Sequence, residues 1–134
     1  MTLTDDEREA IVIYRIQKAH NCLMEVEDIR PLNHWNIIAN RLYYACYYMA
    51  SALLIKNGYY SHTHKGVIHL VGLHYVANGP LTREQGRLFS KLFEMRQSGD
   101  YDDLYDLTTD DVERYIEPTR EFLDSLEKLI NSCH

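Results

Sequence analysis

The stretch from Asn33 to Lys56 constrains this chain more than any other. Trp35, Ile38, Leu42, Ala45, Tyr48, Ala52 and Ile55 recur at helical spacing and mark one face. Tyr43, Tyr44 and Tyr47 carry aromatic surface round most of the remainder. A helix that is apolar on nearly every side has no face to give to water, so it belongs at the centre of a fold. Asn57-Gly58 stops it, because glycine suits the left-handed position after a helix, and Lys56 supplies a cation to its last turn.

The elements around it read as helices too. No segment alternates with period two for a useful length, so no strand is expected. A first helix is expected from about Asp5 to about Glu27, with Thr4 as N-cap and Asp5, Asp6 and Glu7 at the positive end of its dipole. Asp28-Ile29-Arg30-Pro31 breaks the chain before the central helix. A weaker third helix is expected from Thr63 or His64 to about Val76, with Gly66 and Gly72 against it. After the turn Ala77-Asn78-Gly79-Pro80, Thr82 and Gln85 form a capping box for a fourth helix ending near Ser98-Gly99. A fifth is expected from about Thr109 to about Asn131, bent by Pro118. The fold class is therefore all-α, a compact up-and-down bundle of four to five helices, in a single domain over residues 1–134.

Composition narrows the function. The 14 Lys and Arg against 20 Asp and Glu give a net charge of -6, which excludes a wholly basic nucleic-acid coat protein. No apolar run approaches the roughly 18 residues that span a membrane, so no membrane partner is expected. The polar, acidic N-terminus is not a signal peptide, and Cys22, Cys46 and Cys133 form no disulfide framework, so the expected compartment is the cytoplasm. Cys22 and Cys46 sit in apolar helical patterns and read as core residues. The 11 Tyr against 3 Phe and 1 Trp give apolar area with polar tips.

Few motifs carry chemistry. His62, His64, His69 and His74 crowd one segment, but His69 and His74 are five apart and share no helical face, so no metal site and no cofactor are expected. Phosphate loops and a nucleophile elbow are absent. Arg83, Arg87 and Lys91 recur every four residues on one face, either a solvated surface or a phosphate-binding stripe. Arg41 lies midway along the apolar central helix and needs a carboxylate, a phosphate or an exit to water. Asp100 or Glu94 is the expected partner if the role is structural.

Three segments then resemble one family. They are Asn40-Arg41-Leu42-Tyr43-Tyr44-Ala45-Cys46-Tyr47-Tyr48, Thr63-His64-Lys65-Gly66-Val67, and Leu92-Phe93-Glu94-Met95-Arg96-Gln97-Ser98-Gly99-Asp100-Tyr101-Asp102-Asp103. In this order they resemble the HEPN superfamily, and more narrowly its small stand-alone branch in bacteria and archaea. The likeness runs from about Asn33 to Ile130. It implies a helical bundle that homodimerises. Many such proteins are metal-independent ribonucleases, whose signature is an arginine followed after four to six residues by a histidine. Many act as the toxin of a toxin–antitoxin pair with a minimal nucleotidyltransferase, which in some pairs attaches AMP to a tyrosine near the motif.

By that resemblance Arg96 matches the signature arginine, and Tyr101 stands where a histidine is expected. A tyrosine with a pKa of about 10 is a poor base at neutral pH, though it can donate a hydrogen bond or act as an acid. Asp100 and His64 join Arg96 and Tyr101 as catalytic candidates, His64 as the source of the missing imidazole. Arg41, Tyr44, Lys65, Arg87 and Lys91 are the candidates for binding phosphate or RNA. Two readings stay open: a metal-independent endoribonuclease of toxin type, or a non-catalytic module or dimeric scaffold that binds RNA or an adenine nucleotide. The acids from Asp102 to Asp106 are expected to solvate a loop.

Overall fold

A computed structural model describes residues 3–102, 104 and 106–132. The architecture is all-α. In chain order it has α1 (Asp5–Ile29), α2 (Trp35–Lys56), α3 (His64–Val71), α4 (Arg83–Tyr101), α5 (Thr109–Val112) and α6 (Ile116–Ser132). The near-continuous apolar surface of α2 is covered by α1, α3, α4 and α6, so the central position that its sequence demands is met. Ile38, Leu42, Tyr43, Cys46, Met49 and Leu53 have no exposed surface.

Side chains fix the directions. Arg8, early in α1, donates to the carbonyl of Ile55 at the end of α2. Asn40, early in α2, reaches Asp100 late in α4, while Tyr43 packs on Phe93 and Phe89. Gln85 and Phe89 of α4 meet Ser125 and Phe122 of α6. The helices α1, α2, α4 and α6 thus alternate up and down. Polar contacts close α1 on α6: His20 with Glu127, and Arg120 with Glu27.

The helix starts follow their capping residues. Thr4 with Glu7 and Thr82 with Gln85 form reciprocal capping boxes, and Thr63 accepts from the Gly66 amide. Other boundaries depart from the sequence reading, each for a local reason. The central helix starts at Trp35 rather than Asn33, because Asn33 takes a left-handed φ of 59° after a 3₁₀ turn at Arg30–Leu32. The third helix widens into a π-helical turn at Gly72–Ala77. The fourth continues past Ser98-Gly99 to Tyr101. Gly99 is not a stop signal there. A β-carbon on it would lie 3.0 Å from Leu107 Cδ1 and 3.4 Å from Asn36 Cα, so it is the bare spot that lets α4 and the following loop approach α2.

The expected fifth helix is divided. Thr108 caps α5, a 3₁₀ turn spans Glu113–Tyr115, and α6 follows. Pro118 has no N–H to give to the carbonyl four residues back, at Arg114, and its ring crowds that carbonyl. The tightened turn sits at that place.

The loop after α4 exposes Asp102 and Asp106 to solvent and is tied to α2 at its far end. Asn36 donates to Asp106 (3.1 Å) and accepts from the Leu107 amide (2.8 Å), and Leu107 is buried. Asp103 and Tyr105 lie outside the described residues, as does Cys133. Cys22 and Cys46 are buried, free thiols. Among the described residues no helix is long and apolar enough to cross a membrane.

Candidate functional site

Facing residues of α2 and α4 build one polar cluster within the aromatic surface. Asn40, Tyr43, Tyr44 and Tyr47 fall on one side of α2, at helical spacing. Arg96 and Asp100 are one turn apart on α4, and Tyr101 ends it. The Arg96 side chain is 11% exposed, so its charge needs partners. Its Nε donates to Asp100 Oδ2 (3.1 Å), and its Nη2 donates to the hydroxyls of Tyr44 (3.0 Å) and Tyr101 (3.2 Å). The guanidinium also lies 5.2 Å from the Tyr101 ring centre and 5.3 Å from that of Tyr44. Nη1 has no hydrogen-bond partner among the described residues.

Asp100 is shared. Its Oδ2 accepts from Asn40 Nδ2 at 2.9 Å as well as from Arg96. Asn40 turns its oxygen to Arg41, accepting from Nη2 (2.7 Å) and Nε (3.1 Å). A continuous polar chain therefore runs Arg41, Asn40, Asp100, Arg96. Arg41 was expected to pair with Asp100 or Glu94. It pairs instead with Glu25 of α1 (3.4 Å), because Asp100 is already held by the arginine one turn before it on its own helix.

The start of α3 brings His64 to the same place. Its ring centre is 4.6 Å from that of Tyr47, 5.6 Å from Tyr43 and 5.8 Å from Tyr44, and its Nδ1 is hydrogen-bonded to the Tyr43 hydroxyl at 2.8 Å. Burial, with the Arg96 charge as the second cause, holds this imidazole below the usual histidine range. It is therefore neutral at pH 7. Burial raises the Tyr44 hydroxyl above the usual tyrosine range, with Arg96 opposing, and burial raises Tyr43 further. Both phenols stay protonated; the Tyr44 oxygen accepts from Arg96, and the Tyr43 hydroxyl pairs with His64.

The structure thus gathers Arg96, Tyr101, Asp100, His64, Tyr44 and Arg41. It does not bring Arg87 and Lys91 there. They line a separate groove with Arg83, since Arg87 stands about two and a half helical turns from Arg96 and faces the other way. Lys65 is exposed at the start of α3. The sequence reading missed Asn40 and Tyr43 as site residues. Their signal was present, since Asn40, Tyr43, Tyr44 and Tyr47 share one face, but a tyrosine on an apolar helix reads first as core. Tyr43 serves as both, with no exposed surface and its hydroxyl on His64.

Among the other histidines, His74 stacks on Tyr59 at 3.9 Å and His62 lies against Tyr60. No three His, Cys, Asp or Glu side chains gather as a metal site among the described residues.

Helix order, placement of the three motifs and the nearly buried arginine define a HEPN fold, and comparison with known proteins agrees. A model of the HEPN domain matches residues 12–129, and the chain belongs to that family. It is 33% identical over 125 residues to a UPF0332 protein of Thermotoga maritima, covering 93% of this chain and 95% of that one. It is 23% identical over 117 residues to a Methanocaldococcus jannaschii protein named as a candidate toxin, covering 87% and 80%. The crystal structure of TT1696 from Thermus thermophilus shares the fold, with a TM-score of 0.74 at 12% identity over 88% of this chain and 97% of that one.

Proposed function

We propose that this chain is a toxin-like HEPN protein that acts on RNA at the Arg96 cluster, without a metal, as a homodimer working opposite a nucleotidyltransferase. One observation carries the reading. A nearly buried guanidinium, whose Nη1 has no hydrogen-bond partner among the described residues, shares an aromatic pocket with an imidazole kept neutral at pH 7. The name of the M. jannaschii relative supports the toxin part.

The chemistry is a transesterification. In the tautomer that gives its Nδ1 proton to the Tyr43 oxygen, His64 has a free Nε2 to take the proton of an RNA 2′-hydroxyl. The 2′-oxygen attacks phosphorus, and the bond to the 5′-oxygen breaks. Tyr101, 68% exposed, returns a proton to that leaving oxygen. The products are a 2′,3′-cyclic phosphate and a 5′-hydroxyl, with a proton passing from His64 to the tyrosinate to close the cycle. Arg96 stabilises the charge on the phosphoryl oxygens by preorganised hydrogen bonding.

A second reading has its own support. Three of the five N–H groups of Arg96 are already taken up by Asp100, Tyr44 and Tyr101. An arginine so satisfied suits a module that binds RNA or an adenine nucleotide without cleaving it.

Labelled RNA incubated with the purified chain in EDTA separates the two. Cleavage lost in Arg96→Ala and His64→Gln, and reduced in Tyr101→Phe, supports the ribonuclease. RNA left intact in every lane, with AMP or RNA raising the melting temperature, supports the binding module.

A further inference from the structure

The face of α4 turned away from Arg96 borders a groove of about 620 Å³ between that helix, α3 and the π-helical turn. Its floor is apolar: Ile68 from α3 and Val76 from the turn are partly exposed in it, and the buried Val71 and Phe89 close it from beneath. Arg83, Arg87 and Lys91 stand along one rim, all exposed, and none has an ion pair with another described residue. Glu94 is the acid at the far end of that rim. In a chain of net charge -6, three cations in a row above an apolar trough, with no ion pair among the described residues, are a local reversal of sign.

The backbone is shaped for the trough. The π-helical turn widens the helix where it borders the groove, and such turns recur at functional sites. Gly86 faces Val76 so closely that a β-carbon would lie 3.3 Å from its side chain, while a β-carbon on Gly72 would meet nothing within 4 Å. One glycine draws the turn against α4, and the other leaves the trough unfilled.

We propose that this groove docks an acidic amphipathic helix of a partner protein, its apolar stripe on the floor and its carboxylates on Arg83, Arg87 and Lys91. A cation every helical turn matches an acid every turn of the guest, and the trough takes its apolar side chains. RNA suits the groove less well. Bases need an exposed aromatic face to stack on, and Phe89, the one ring in the floor, has no exposed surface. The site stands apart from the Arg96 cluster and does not depend on that cluster's chemistry.

The test selects a random-peptide phage library on the immobilised full chain and titrates the recovered peptides in solution. The expected peptides combine acids with apolar residues at helical spacing. Each should bind Arg87→Glu or Lys91→Glu roughly tenfold more weakly than the parent. Arg87→Gln and Lys91→Gln should give intermediate losses, with melting temperatures unchanged in all variants. The proposal is overturned if the selected peptides lack that pattern, if charge reversal leaves their affinity unchanged, or if no peptide is enriched. A labelled single-stranded RNA titrated in parallel covers the other occupant. RNA affinity that falls on Arg87→Glu while no acidic peptide binds makes the groove a nucleic-acid surface.

Discussion

The Tyr44 hydroxyl accepts from Arg96 Nη2 at 3.0 Å, while the same guanidinium lies 5.3 Å from the centre of the Tyr44 ring. One side chain thus holds the arginine by its polar tip and by its π-face. The pair joins α2 to α4 at the level where Asn40 and Asp100 also meet. Arg96 is therefore a structural tie as well as the charge at the candidate site, and the two roles come apart under substitution.

Tyr44→Phe keeps the ring and removes the acceptor. It should cost about 0.5–1.5 kcal/mol, the net worth of one hydrogen bond. Arg96→Ala leaves Asp100 and Tyr44 without their main donor and should cost about 1–3 kcal/mol. Arg96→Lys keeps the charge but loses the planar fork, so it should recover part of the stability. Urea unfolding of the four proteins measures the series. Equal midpoints for Arg96→Ala and the parent would refute the tie.

His64 makes stability depend on pH. Its folded-state pKa is lowered by burial first and by Arg96 second. In the window below the unfolded value of about 6.5, the unfolded chain takes up a proton that the folded chain refuses. This contribution is fully present above that value and is lost as pH falls through the folded value. Urea midpoints followed from about pH 8 down to pH 5 should fall less steeply in His64→Gln than in the parent. Parallel slopes would mean that another group sets the dependence.

The bundle was legible because its signals are local. Thr4, Thr82 and the all-round apolar α2 each announce their place within a few residues. Arg96, Asp100 and Tyr101 were legible for a related reason, since one helix spaces them. What escaped was set by contacts distant in sequence. Gly99 looks like a helix stop until Asn36 and Leu107 are seen against it. The true partner of Arg41 is Glu25, on a different helix. The turn at Glu113–Tyr115 shows that Pro118 divides the last helix where a bend was expected.

Gly66 counted against a helix by propensity, yet its place in α3 leaves no room for a side chain. A β-carbon there would lie 1.9 Å from Ser61 Oγ, 2.8 Å from Thr63 Oγ1 and 2.9 Å from Ser61 Cβ. Gly66→Ala should displace Ser61 and the Thr63 cap and cost about 1–2 kcal/mol, despite alanine's higher helix propensity. Removing the obstructing side chain with Ser61→Gly should restore most of that loss. Thermal melts of both single variants and the double variant check it, and an additive double variant would rule the clash out.

Thr119 of α6 has no exposed surface, and its hydroxyl is the one buried side-chain polar atom without a hydrogen bond among the described residues. An unpaired hydroxyl in a core costs more than the apolar group that would replace it. Thr119→Val keeps the volume and removes the unmet group, so it should stabilise by about 1 kcal/mol. Thr119→Ser keeps the hydroxyl and loses the methyl group, so it should destabilise by about 1 kcal/mol through the lost apolar contact. The two substitutions differ in sign only if the hydroxyl is the defect. A valine variant less stable than the parent in urea would show that the hydroxyl is satisfied in solution, and that the core at α6 already holds the group it needs.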